Sequence, residues 1–238
     1  MDQNKWHQCW QVHLRQYLAA PPRTGIFIHT YFPFIKSSLE VACGSSRDSI
    51  YLAKKGVNAT ASDYEKRTVD FLRESFSQKH LTYVEADAFC LPFRNNTFDL
   101  VFHNGLFIYF NNNIQIYSML REQCRVTKKY VLFFVHNRLN LSLVKRFAEL
   151  SAHDPMYDIR FFEPDEIVKI VESASIDYPY SVRVFKFGGQ VDILFNKRLK
   201  GAIPNILYPW REIIIPKIYQ IQNWKTTERI GCLIEMKK

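Results

Sequence analysis

Small residues in one short run, Leu39-Glu-Val-Ala-Cys-Gly-Ser-Ser-Arg-Asp-Ser49, follow an apolar stretch and lead into a helical one. A loop of that kind at the carboxyl end of a strand is where open α/β sheets bind ligands. Ala42, Gly44, Ser45 and Ser46 let a ligand approach the backbone, while Glu40, Arg47 and Asp48 supply charge beside it. A dinucleotide would need small residues spaced G-x-G-x-x-G, and here the third position is Arg47, where close packing is required. Asp48 also puts negative charge in the first helical turn, where a pyrophosphate would sit. A ligand with a cationic centre and a carboxylate suits this loop better, because the acids tolerate the cation and Arg47 can meet the carboxylate.

Two further acids fall in register with the loop. Asp63 lies 19 residues after Gly44, at the end of the second apolar run. A carboxylate there can accept both hydroxyl protons of a ribose, or it can cap the helix that follows. Tyr64 follows and can cover a base. Asp87-Ala88-Phe89 closes the third run.

The elements that must position these residues read as alternating strands and helices. Strands are expected at 38–44, 57–62, 82–85, 98–103, 130–136, 183–187 and 230–236, and helices at 45–55, 65–77, 114–126 and 163–175. The fifth strand is apolar throughout, as an interior parallel strand should be. The expected fold is α/β, a doubly wound seven-stranded sheet, mostly parallel with an antiparallel last strand and helices on both faces. Residues 1–36 form a helical lead-in, with Trp6, Trp10, His13, Leu14, Tyr17 and Leu18 at roughly helical spacing before Pro21-Pro22. Residues 37–238 form the main domain. Within it, 188–229 is too long for a hairpin and too apolar for a linker, so an inserted lid is expected there, with a helix over 210–222.

The stretch from Glu40 through Ala42, Gly44 and Ser46 resembles the first motif of the class I SAM-dependent methyltransferases, an acid followed by alternating glycines, with Ala and Ser at two of the glycine positions. The resemblance extends over Glu85-Ala-Asp-Ala-Phe-Cys-Leu-Pro-Phe and Thr97-Phe-Asp-Leu-Val-Phe-His-Asn-Gly-Leu106, and spans roughly 38–136, with weaker agreement through Ala174 and at 230–238. It implies S-adenosyl-L-methionine (SAM) as cofactor and S-adenosyl-L-homocysteine (SAH) as product. It implies that Asp63 holds the ribose, that Asp87 and the backbone of Ala88-Phe89 meet the adenine, and that Asn104-Gly105 passes the methionine end.

The acceptor is less constrained. Asn104-Gly105-Leu106-Phe107 is not the Asn/Asp-Pro-Pro-aromatic motif of many amino-methylating enzymes, and no Pro-Cys pair marks a cytosine C5 enzyme. His103, Tyr109 and His136 are the candidate bases at strand ends, each with the alternative of a satisfied core residue. Asn137 can orient a polar acceptor. Tyr208, Trp210 and Arg211 are the acceptor-side candidates in the lid, which in the resembling family commonly carries acceptor specificity. Aromatic faces are expected near the sulfonium, with Tyr17, Tyr31 and Phe107 as candidates.

Composition narrows the class. The 238 residues carry 32 Lys+Arg against 23 Asp+Glu, a net +9, and the stretch 188–229 supplies about +4 of it. Such charge suits nucleic acid or an acidic small molecule, but the basic residues are dispersed and no Arg-rich arm is present. Five cysteines without metal-knuckle spacing argue against a zinc site or a disulfide framework. The first 18 residues lack the apolar core of a secretory signal. The expectation is a cytoplasmic enzyme without a membrane span, acting on a small-molecule acceptor that is anionic or aromatic. The alternatives are an RNA methyltransferase and a non-catalytic SAM-binding protein. Oligomeric state stays open.

Overall fold

The computed structural model describes residues 3–195 and 210–238. Seven strands form one sheet: β1 (Ser37–Val41), β2 (Asn58–Asp63), β3 (Leu81–Glu85), β4 (Phe98–Asn104), β5 (Thr127–His136), β6 (Tyr180–Phe187) and β7 (Arg229–Met236). Their order is β3-β2-β1-β4-β5-β7-β6. The first five run parallel, and β7 enters antiparallel between β5 and β6. The expected doubly wound sheet with an antiparallel last strand is the observed one. Because the chain reverses its direction of winding between β1 and β4, the crevice at their carboxyl ends is the ligand position of such a sheet.

β5 shows why the sheet is buried on both faces. Leu132 and Phe134 point into one core, with Ile28, Phe102, Phe187 and Tyr219. Val131, Phe133 and Val135 point into the other, with Met119, Ile167, Ile170 and Cys232. Successive side chains alternate between faces, so a strand apolar at every position has a helical layer on each side. α3 (Arg47–Lys54) lies with the first core, and α5 (Asn113–Val126) and α7 (Pro164–Ser173) with the second; α4 (Lys66–Ser75) covers the β2–β3 end. α7 starts at a capping box in which Glu163 and Glu166 reciprocally satisfy the exposed backbone donors.

The segment before β1 is two helices with different duties. α1 (Gln3–Ala19) ends before Pro21-Pro22, as the sequence requires. α2 (Arg23–Tyr31) belongs to the core, burying Ile26, Phe27 and Ile28. Gly25 permits its close approach to α3, since a Cβ there would stand 2.8 Å from the Asp48 carbonyl oxygen. α6 (Leu141–Ser151) has no counterpart in the sequence reading; none of its residues is fully buried, so its apolar positions carry no core periodicity. Between β6 and β7, α8 (Arg211–Ile221) inserts Ile215 and Tyr219 into the first core.

Candidate active site

The loop after β1 is built by backbone strain held from below. Ala42, Gly44 and Ser46 all have positive φ, at 53°, 50° and 54°. The alternating left-handed conformation that glycines would adopt freely is thus kept with Ala and Ser at two positions. Ala42→Gly is expected to raise stability by about 0.5–1 kcal/mol, relief of the left-handed penalty less the entropy of a freer chain. A lower urea midpoint for that variant would contradict the strain.

Two buried acids fix this loop to the fold. Glu40 Oε2 accepts from Ser49 N at 3.1 Å and Ser49 Oγ at 2.6 Å, tying β1 to the first turn of α3. Asp48 Oδ1 accepts from Gly25 N at 2.7 Å, tying α3 to α2. Burial, and then the like charge of Asp48, hold the Glu40 pKa well above the carboxylate range. A pKa raised by folding stabilises most below the unfolded value and loses that contribution as pH rises. Stability should therefore decline as pH climbs above about 4.3, the ordinary Glu value, and Glu40→Gln should flatten the decline in urea titrations.

Asp63 joins the loop to the end of β2. Its Oδ2 accepts from Gly44 N at 2.8 Å and its Oδ1 from Glu65 N at 3.1 Å, while burial raises its pKa. An ionised carboxylate has about four lone-pair positions, so each oxygen retains capacity for a ligand hydroxyl. Tyr64 beside it is 47% exposed. After β3, Asp87 is exposed and its Oδ1 accepts from Phe89 N at 2.9 Å, turning Ala88 and Phe89 along the same edge. After β4, Asn104 leads into Gly105, whose φ of +97° requires glycine's freedom. Thus Ala42–Asp48, Asp63-Tyr64, Asp87–Phe89 and Asn104-Gly105 all come to the carboxyl edge of β1–β4. Glu65, absent from the sequence reading, is buried there; its carboxylate caps α4 and lies 3.7 Å from His7 Nδ1.

The strand-end bases are less alike than their sequence positions suggest. His103 is fully buried between Phe107 and Phe133, with Nδ1 accepting from Leu106 N at 3.3 Å. Burial pushes its pKa down to about 3, so it is a neutral core histidine. Tyr109 donates to the Met156 carbonyl at 3.3 Å and meets the Trp6 ring edge-on at 4.7 Å. His136 is 5% exposed, its Nδ1 has no hydrogen-bond partner, and its pKa falls to about 3 through burial, Arg229 and Arg23.

The acceptor-side candidates need correction. Asn137 is fully buried and its amide is committed: Nδ2 donates to the Trp224 and Thr227 carbonyls at 2.7 and 3.0 Å, and Oδ1 accepts from Leu139 N at 3.1 Å. It fastens β5 to the chain before β7. Trp210 and Arg211 sit at the start of α8, beside α2 and α3, where Thr30 and Tyr51 hydrogen-bond to Glu212. The apolar side of α8 is used on the sheet face, which carries this end of the helix away from the strand ends. Tyr208, with 196–209 of the expected lid, lies outside the described residues. Of the aromatic candidates, Phe107 is in the core and Tyr31 packs on Phe27, whereas Tyr17 is at the edge.

What covers the edge is α1. A Cβ on Gly44 would stand 2.3 Å from Trp10 Cζ2, so the indole lies directly on the loop. Arg47 Nη1 donates to the Tyr17 carbonyl at 3.1 Å, with its guanidinium 5.5 Å from the Tyr17 ring centre. His13 Nε2 and Asp154 Oδ2 are 2.7 Å apart. Phe147 of α6 packs on His136, Tyr157 and Phe161. A cleft of about 170 Å³ remains between Trp6 and Cys9 of α1, Tyr109 after β4, and the 155–160 segment. The spacing Trp6, Trp10, His13, Tyr17 was the signal for this face.

A second missed group is a charge cluster where β7 begins. Arg23 of α2 donates to both Glu228 oxygens at 2.9 Å and also to Asp192, which accepts from Tyr219 as well. Arg229 donates through Nε to Glu228 at 3.2 Å and through Nη1 to Asn104 Oδ1.

The sheet order, the strained loop and the acid at the end of β2 together define a nucleoside-binding α/β fold of the Rossmann-like kind. Residues 39–135 match the family model described as "Methyltransferase domain", and the fold is that of solved SAM-dependent methyltransferases. Among solved structures it is similar to a SAM-dependent methyltransferase from Archaeoglobus fulgidus, 15% identical, with 90% of this chain and 93% of that one covered at a TM-score of 0.57. A plantazolicin methyltransferase in complex with a triazolic desmethylPZN analog and SAH is 13% identical over 91% and 83%, TM-score 0.61. The magnesium protoporphyrin IX methyltransferase of Synechocystis PCC 6803, with bound SAH, is 13% identical over 93% and 83%, TM-score 0.56. A comparison with curated proteins gave no match. Among the described residues no helix is long and apolar enough to cross a membrane.

Proposed function

We propose that the chain methylates a small-molecule acceptor held between the carboxyl edge of β4–β5 and a roof made by α1, α6 and residues 155–162. The observation that carries this reading is the roof itself. Trp6 and Cys9 of α1, Tyr109 after β4, and Met156, Ile159 and Arg160 from the other side leave a cleft of about 170 Å³, which suits a small molecule and not a nucleic-acid strand.

In this reading the loop of Ala42, Gly44, Ser45 and Ser46 cradles the methionine end of SAM with Asn104-Gly105, and Arg47 meets its carboxylate. Asp63 takes the ribose hydroxyls, Tyr64 covers one adenine face, and Asp87, Ala88 and Phe89 meet the adenine edge. Glu40 and Asp48 act one step back, holding the loop through Ser49 and Gly25. The fit rests on the left-handed loop backbone and on the spare acceptor capacity of Asp63. When bound, SAM supplies a methyl group already activated on a sulfonium. The chain's own task is then alignment and exclusion of water. Tyr17 offers an aromatic face from α1, and Tyr109 lines the cleft. His136, neutral at physiological pH, can accept a hydrogen bond from an acceptor O–H or N–H through its unpartnered Nδ1. His103, walled in by Phe107 and Phe133, keeps a packing role.

The test incubates the protein with methyl-labelled SAM and either a small-molecule cell extract or bulk tRNA. Label is expected only in the small-molecule fraction. Label in tRNA, or salt-sensitive tRNA binding in a gel shift, would establish the nucleic-acid reading instead. SAH binding without label in either fraction would point to a non-catalytic SAM-binding protein.

A further inference from the structure

We infer that Arg229 is the recognition group for a carboxylate on the methyl acceptor, an assignment that rests on the small-molecule reading above. Arg229 is the first residue of β7, and β7 lies beyond β5 from the cofactor loop. Its side chain reaches back over β5 to β4, where Asn104 Oδ1 accepts from Nη1. That contact aims the guanidinium at the point where the cofactor half of the edge, β1–β3, meets the acceptor half, β4–β5–β7. Gly105 leaves room beside it, since a Cβ there would lie 3.9 Å from Nη1.

The neighbouring carboxylates engage Arg23 more closely than this arginine. Glu228 gives both oxygens to Arg23 at 2.9 Å and meets Arg229 only through Nε at 3.2 Å. Arg23 has a second carboxylate in Asp192, whereas the other contact of Arg229 is a neutral amide. The Arg229 side chain is 13% exposed, so water does little to compensate it. Burial lowers its pKa; Glu228 opposes that, and Arg23 and Arg47 add to it. Ser46 Oγ and His136 Nδ1 are among the buried atoms near this edge without a hydrogen-bond partner, and Arg47 Nε has only the Asp48 carboxylate at 3.8 Å. His136 pairs directly with Arg229 across the β5–β7 ladder, and such opposed residues share a face. Guanidinium groups bind carboxylates through a planar fork of N–H donors. An acceptor acid seated on Arg229 would take guanidinium donors that Glu228 and Asn104 leave over and lie beside the free imidazole nitrogen.

The same chemistry could be supplied by the carboxylate of the cofactor's methionine end, so the experiment separates the two sources. SAH affinity is measured by calorimetry for the wild type, Arg229→Met and Arg229→Lys. SAH-saturated protein is then titrated with benzoate, 3-phenylpropionate and indole-3-acetate, and with their primary amides. The expected result is SAH affinity within about threefold across the three proteins. Acids should bind the wild type at least about tenfold tighter than amides, the scale of one charge-assisted pair. Arg229→Met should lose that preference and Arg229→Lys keep part of it. Equal binding of acids and amides by the wild type, which needs no variant to fold, overturns the inference. So does a tenfold loss of SAH affinity in Arg229→Met, which would assign the arginine to the cofactor. Wild-type protein that binds no SAH would instead overturn the assignment of the cofactor residues.

Discussion

Arg23→Ala is expected to lower the unfolding free energy by about 3–5 kcal/mol, the usual cost of removing one partner from a buried ion cluster. Arg23 is the hub of that cluster, holding Glu228 with two bonds and Asp192 with a third contact, at 15% side-chain exposure. Burial alone would lower its pKa, but the two carboxylates raise it well above the ordinary value. Burial would raise the Glu228 pKa, yet Arg23 holds it far below the carboxylate range. A depressed pKa gives stability that is present above the unfolded value of about 4.3 and is lost as pH falls toward the folded one. The gap between wild type and variant in urea midpoints should therefore be full at pH 7 and shrink below about pH 4. A variant within 1 kcal/mol of wild type at pH 7 would mean that the cluster is not closed in solution.

Asp63→Ala should weaken SAH binding by about 1–3 kcal/mol, roughly 5- to 150-fold, through loss of charge-assisted hydrogen bonds. The expected loss has two parts. One is the acceptor itself; the other is the loop, because Gly44 N and Glu65 N lose their partner. Asp63→Asn keeps an oxygen for one of those donors and should fall between the wild type and Asp63→Ala. Calorimetry reads all three proteins, and SAH affinity unchanged within twofold in Asp63→Ala would remove Asp63 from the site.

The meeting of the β1 loop with the acids after β2 and β3 was legible in the sequence because each piece is local. The loop after β1 and the acids after β2 and β3 each follow an apolar run, and the parallel order brings those ends together. The contacts across β4, β5 and β7 were not legible, because they are assembled from distant pieces. Arg229 meets Asn104 across 125 positions, and His13 meets Asp154 across 141. Asn137 and His103 have residue types that serve a site or a core equally well. Only the Trp224 and Thr227 carbonyls, and the rings of Phe107 and Phe133, decide between those uses. A lid was expected over 188–229 for its aromatics; among the described residues there, Tyr219 of α8 packs into the first core, while Trp10 of α1 lies on the loop after β1.

The indole of Trp10 on Gly44 has a thermodynamic corollary. Helix docking and occupation of the loop draw on the same surface, so the two are competing equilibria. A ligand that takes the Gly44 surface must first be matched by a population with Trp10 lifted, and its measured dissociation constant is the intrinsic one divided by that fraction. Among the described residues of α1 only Cys9 and His13 are buried, which places its opening at the low-energy end of the molecule's local fluctuations. The Trp10 indole would thereby be a tethered competitor for whatever occupies the Gly44 surface.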